Sequence, residues 1–200
     1  GAGKDPYAVT EEAVKWALKL SGKNLKLRRE KEFPEILGKL GWCSWDSLGQ
    51  SVNMDAVVDK VKELKEKEVP VQWVLIDDGW SDSEGQMLKS FEADLVKFPG
   101  GIKETVSMLK EAYKMKYVGV WQAIKGYWNG ILPGSQAEKE NAAFLTTYPN
   151  GEITVKPQAD AVFGFWNQWH AFLENAGVDF IKVDSQSSFS IMTQGIVSYG

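Results

Sequence analysis

The chain has 200 residues, 44% of them hydrophobic and 25% charged, enough apolar material for one globular core and too much for intrinsic disorder. Its 23 basic and 27 acidic residues give a formal charge of −4 without a basic stripe, which argues against a nucleic-acid partner. One cysteine, Cys43, rules out an internal disulfide and a thiolate metal cluster, and no run is apolar enough to imply a membrane partner or a secretory leader, so a cytoplasmic location is expected.

In chain order, Thr10 to Leu20 carries Ala13, Trp16, Ala17 and Leu20 at helical spacing, with Thr10 as the expected N-cap. A charged connector follows from Lys23 to Glu35, with a turn at Pro34. Leu40 to Trp45 is a short apolar strand. Asn53 then caps a helix whose stripe is Met54, Val57, Val58, Val61 and Leu64, with Glu63 and Lys67 paired on its outside. After Pro70, Val71 to Ile76 is β-branched and apolar on both faces, as a covered parallel strand requires.

A helix over Ile102 to Met115 with Ile102, Val106, Leu109 and Tyr113 inward leads to a third strand, Tyr117 to Trp121. A helix over Val162 to Ala176 follows, with Phe165, Trp166, Trp169 and Phe172 facing the core and Gly177 closing it. Asp179 to Val183 is the fourth strand. Strands alternating with helices predict a parallel α/β sheet, and periodicity alone allows either a doubly wound sheet or part of a barrel. The longest connections, Asp77 to Gly101 and Gln122 to Asp160, both follow strands and place the functional end at the strand C-termini.

Carboxylates gather at that end. Asp46 follows the first strand, Asp77 and Asp78 end the second, and Asp184 ends the fourth. Lys182, two residues before Asp184 and on the same strand face, is expected to keep it ionised. With nine tryptophans, these acids suit glycoside cleavage by a carboxylate pair about 5 Å apart. They also suit divalent-metal binding for phosphoryl chemistry. Against the metal, the chain has no glycine-rich phosphate loop, and its one histidine, His170, falls inside a helix and reads as structural. No metal or cofactor is expected.

Three ordered motifs, Gly41-Trp42-Cys43-Ser44-Trp45-Asp46, Leu75-Ile76-Asp77-Asp78-Gly79-Trp80 and Lys182-Val183-Asp184, resemble family 36 glycoside hydrolases, the group of raffinose synthases, alkaline α-galactosidases and seed imbibition proteins. The resemblance implies a (β/α)8 TIM-barrel fold of which about four β-α units are present. Residues 1–35 would be a linker helix and connector, and 36–200 the first half of the catalytic barrel. It implies a galactose-containing oligosaccharide as substrate and a retaining mechanism with Asp184 as nucleophile. Asp77, Asp78 and Lys182 would contact the galactose, Trp45, Asp46 and Trp121 would line its pocket, and Tyr127-Trp128 would contribute on the sugar or the leaving-group side. The family's acid/base is an aspartate on a later strand, and Ser185 to Gly200 contains no acidic residue. The chain alone is therefore expected to be inactive, with open barrel edges suited to self-association. A galactosyltransferase of the raffinose-synthase kind and a non-catalytic sugar-binding half-barrel are the alternatives to a hydrolase.

Overall fold

The computed structural model describes residues 2–193. The chain divides into a small unit, Gly1–Gly38, and a large one beginning at Lys39.

The small unit is built on helix α1 (Pro6–Ser21). Its N-cap is Asp5, whose carboxylate accepts from the Tyr7 amide at 2.9 Å, not Thr10. Pro6 explains the earlier start: proline fits the first helical turn, where no N–H is needed. Thr10 instead donates its hydroxyl to the Pro6 carbonyl. None of the α1 side chains is buried.

The large unit opens with β1 (Gly41–Cys43), the single turn α2 (Trp45–Leu48) and α3 (Met54–Glu66). Asn53 caps α3 through the Ala56 amide, and Val57 and Val61 form the buried part of its stripe. Glu63 meets Lys67 at 2.5 Å as expected, and Lys60 as well, which together hold its carboxyl down at about 2. Next come β2 (Trp73–Ile76), a hairpin of β3 (Ser81–Glu84) and β4 (Met87–Ala93), helix α4 (Gly101–Glu111) and strand β5 (Tyr117–Ala123). α4 stops short of Tyr113, which packs half-buried against the core from the following turn.

The rest comprises α5 (Gln136–Asn141), a second hairpin of β6 (Leu145–Thr147) and β7 (Ile153–Val155), α6 (Ala159–Asn175), β8 (Phe180–Asp184) and α7 (Gln186–Thr193). In α6, Phe165 and Trp169 are buried, while Trp166 and Phe172 are only half-buried. Gly177 follows α6 at φ 86°, a left-handed conformation glycine adopts without strain. The two long connections are thus not bare loops. Each holds an antiparallel hairpin, and Ile131 bridges them by pairing with Leu88 and Ile153.

The central sheet has the order β1-β2-β5-β8, every pair parallel. That order never reverses, whereas a doubly wound sheet needs a reversal at its switch point. It is the arrangement of a partial TIM barrel. On one face Val74, Ile76, Val118 and Val120 join Val57, Val61, Val106 and Leu109 in a fully buried core beneath the helices. The opposite, inner face carries Gly41, Trp73, Gly119 and Phe180. Large and small residues alternate there between neighbouring strands: a Cβ at Gly41 would lie 1.9 Å from the Trp73 ring, and one at Gly119 would lie 2.4 Å from that of Phe180. Trp73 and Phe180 meet edge to face at 5.6 Å across the gap so left. Among the described residues no helix is long and apolar enough to cross a membrane.

Gly119→Ala should therefore destabilise the chain by about 1–3 kcal/mol through overpacking, measured by urea unfolding. The cost should shrink when Phe180→Val is added, in a double-mutant cycle.

Candidate active site

The parallel register sets which side chains share the inner face near the strand C-termini. Cys43, Trp121, Lys182 and Asp184 lie on it, and Asp77 continues the alternation one residue past β2. Three carboxylates are organised here, each by different donors.

Asp77 is 1% exposed. Its Oδ2 accepts from Lys182 Nζ at 2.7 Å and from the Cys43 thiol at 3.2 Å, and its Oδ1 from the Asp78 amide at 2.8 Å. Its own amide donates to Ser44 Oγ, just past the end of β1. Burial opposes the charge on Lys182, but the bond to Asp77 and its field outweigh burial and raise the lysine above its usual value. The Cys43 thiol is also raised, chiefly by burial and then by its bond to Asp77, against the opposing Trp45 amide. A thiol so placed is a neutral donor, not a thiolate.

Asp78, also 1% exposed, has no cation on it among the described residues. Its Oδ1 accepts from Tyr127 Oη at 2.6 Å, and its Oδ2 from Gln50 Nε2 at 2.6 Å and Trp128 Nε1 at 2.8 Å. Burial first, then the Asp78 bond, pushes the Tyr127 hydroxyl far above the ordinary tyrosine range, so it remains a donor. This carboxylate ties together the loops after β1, β2 and β5. A Cβ at Gly79, which has φ 109°, would lie 2.6 Å from the Gln50 carbonyl oxygen, and Lys97 Nζ donates to the carbonyls of both Gln50 and Gly79.

Asp184 is half-buried. Its Oδ2 accepts from Trp121 Nε1 at 3.0 Å, and its Oδ1 from the Ser185 amide at 2.6 Å. The Trp121 bond most strongly, then the Ser185 amide and more weakly the charge of Lys182, hold its carboxyl below the usual aspartate range against the cost of burial. Ser185 supplies its amide from φ 55°, a left-handed conformation uncommon for serine. The result is an ionised, oriented and partly accessible carboxylate, the state a nucleophile needs.

The structure thus brings Asp77, Asp78, Trp121, Lys182 and Asp184 together, and corrects the partner expected for Asp184. Lys182 shares its face but bonds Asp77; Trp121 is the principal support of Asp184. Trp121 is itself 1% exposed, so it offers the site its N–H and not an open ring face. Trp45 is 43% exposed at the start of α2 and can present a ring to solvent. Asp46, in the same turn, is exposed and takes no part in the network among the described residues. His170 sits in α6 with Nε2 3.0 Å from Gln122 Oε1, and burial lowers its pKa. Gln50 escapes sequence reasoning because nothing local marks it; only the fold brings it 28 residues back to Asp78. Cys43 and Ser44 lie inside a recognisable motif but carry no signal of their donor and acceptor roles.

The chain matches the family model described as raffinose synthase or seed imbibition protein Sip1 over residues 1–98 and 87–198. It is 30% identical to a probable galactinol–sucrose galactosyltransferase 6 of Arabidopsis thaliana, an alignment covering 98% of this chain and 30% of that protein. The chain spans about a third of the length of the curated relatives it matches. Among solved structures, an α-galactosidase from Lactobacillus brevis superposes with a TM-score of 0.56 at 18% identity, over 72% of this chain and 20% of that one. A family 36 α-galactosidase of Geobacillus stearothermophilus in complex with stachyose gives 0.55 at 16% identity, over 72% and 21%. At such identities the superpositions speak for the barrel fold.

The support of Asp184 gives a prediction with a definite sign. The Trp121 N–H favours the anion, so Trp121→Phe should move the Asp184 titration to higher pH. The midpoint of the Asp184 side-chain 13C carboxyl resonance measures it, and an unmoved midpoint contradicts the account.

Proposed function

The chain belongs to the raffinose synthase or seed imbibition protein family, the raffinose-synthase type within glycoside hydrolase family 36, and from that premise we propose that it supplies the nucleophile and the galactose-binding side of a retaining α-galactoside-processing site. The observation that carries the reading is Asp184: a carboxylate at a strand tip, held as the anion by Trp121 and Ser185, on the same inner face as the Asp77–Lys182 pair.

In this mechanism an Asp184 oxygen attacks the anomeric carbon of an α-galactoside from its β face. The bond to the leaving oxygen breaks as that oxygen takes up a proton from an acid, and a β-galactosyl ester of Asp184 forms. On the same reading the acid is an aspartate of a later barrel strand. An acceptor hydroxyl, losing its proton to the conjugate base of that acid, then attacks the same carbon and releases Asp184. Asp77 and Lys182 offer the sugar hydroxyls an acceptor and a donor. Lys182 Nζ sits 2.7 Å from Asp77 Oδ2. Trp45 supplies an exposed ring for a sugar face, as apolar C–H patches of pyranoses favour aromatic contact.

The relatives named galactosyltransferases support a sugar hydroxyl as the second-step acceptor, where the motifs by themselves suggest water. Both outcomes use the same first half-reaction. With sucrose present, a galactosylated trisaccharide should exceed free galactose among the products of an active polypeptide containing this chain. Free galactose as the sole product would point to the hydrolase.

In the same polypeptide, Asp184→Gly should lower turnover of an aryl α-galactoside on the order of 10⁴-fold or more. Added azide, occupying the space of the lost carboxylate, should restore it and give β-galactosyl azide. Retention of ordinary activity, or azide product of α configuration, would remove Asp184 from the nucleophile's place.

A further inference from the structure

Trp121 is the residue through which the nucleophile is held, and its ring has two aromatic walls. Tyr127 meets it edge to face, with centroids 5.6 Å apart at 77°, and Trp128 packs on it tilted, at 5.4 Å and 39°. These walls come from consecutive residues of the loop after β5, whose backbone is held on either side of them by the Gly126 amide on Ala123 and the Asn129 amide on Gln86. The polar ends of both side chains meet on one group. The Tyr127 hydroxyl and the Trp128 indole N–H each donate to the Asp78 carboxylate, on Oδ1 and Oδ2 respectively.

Hydrogen bonds to an ionised acceptor are the stronger class, and this ion is enclosed, so displacing either ring would leave a buried charge short of donors. Gln50 takes a further position on Oδ2 and ties the carboxylate to the loop after β1. At its other end Trp121 is anchored by its backbone, whose carbonyl accepts from Trp80 Nε1 at 2.8 Å. The indole N–H is then left to a single partner, Asp184.

We propose that Asp78 is a positioning residue for the nucleophile: by holding Tyr127 and Trp128 against Trp121, it fixes the indole whose N–H orients the Asp184 carboxylate. This assigns the two adjacent aspartates different work. Asp77 faces the inner surface with Lys182 and Cys43, while Asp78 acts on Asp184 through three aromatic side chains. The inference rests on the reading of Asp184 as nucleophile, but its test observes the carboxyl directly and needs no turnover. Failure of the Asp184→Gly experiment would retire the nucleophile and leave the clamp standing; failure of the test below would do the reverse.

The test is Asp78→Asn in the 200-residue chain without sugar, followed by the Asp184 side-chain 13C carboxyl signal and the Trp121 indole 15N–H signal. The charged groups on the inner face with Asp184, Lys182 on its own strand and Asp77 just past β2, are unchanged by the substitution. Two effects then act with opposite sign. Removing the Asp78 charge, where its field reaches Asp184, lowers the pH at which Asp184 titrates; loss of the Trp121 bond raises it. The clamp predicts an upward shift, and exchange of the Trp121 indole proton with solvent about tenfold faster. A downward or absent shift with unchanged indole exchange overturns it, and a loss of galactose binding with that pattern would make Asp78 a sugar ligand only. If Asp78→Asn does not fold, Trp128→Phe decides the matter. It keeps a ring on Trp121 and every charge in place while removing one donor, so the same upward shift is expected in smaller measure, and an unmoved Asp184 overturns the proposal.

Discussion

Two adjacent carboxylates, Asp77 and Asp78, are closed off from solvent at the tip of β2, and enclosed anions of this kind persist only when donors surround them. Six side-chain and backbone donors meet that demand, and they come from every part of the rim: Cys43 at the end of β1, Gln50 beyond α2, the Asp78 amide, Tyr127 and Trp128 after β5, and Lys182 on β8. The requirement to neutralise two buried charges is thus also a requirement that four strands and three loops hold one relative placement.

The donor sets differ in kind, and so does what each carboxylate can do. Asp77 is met by a cation whose side chain remains 40% exposed, a partner able to turn toward an incoming hydroxyl. Asp78 is met by neutral donors set in aromatic and amide groups. Asp184 is met by one indole and one amide, enough to keep it ionised while leaving the carboxylate partly open. A graded series results, from the enclosed Asp78 to the partly accessible Asp184, at the C-terminal end of one sheet.

The tryptophan content takes on a different meaning in this setting. Trp73 fills the inner face against Phe180, Trp80 and Trp121 lock successive strands, Trp128 braces Trp121, and Trp166 and Trp169 stack on one another at 5.6 Å in α6. The abundance that suggests sugar binding is spent mostly on packing, with Trp45 the exposed ring beside the motif residues. The hairpins β3–β4 and β6–β7 show the same shift: segments that look like unstructured excursions are short sheets joined through Ile131, and they carry or flank the aromatic pair that meets Asp78.

The sequence by itself determined the alternation of strands and helices, because parallel strands covered on both faces read as short apolar runs and helices with a single apolar stripe keep a period of their own. It also marked Asp77, Asp78, Lys182 and Asp184, since acids at the ends of apolar runs stand out, and the spacing of the motifs that contain them resembles one family. Only the tertiary structure decided the barrel-like order of the sheet, the pairing of Lys182 with Asp77 in place of Asp184, and the support of Asp184 by Trp121. It alone found Gln50. Strand alternation says which face a residue is on but not which neighbour it reaches; Lys182 and Asp77 are 105 residues apart, and Trp121 and Asp184 63. Their meeting depends on the register between strands and on the closure of loops, quantities that no local pattern encodes.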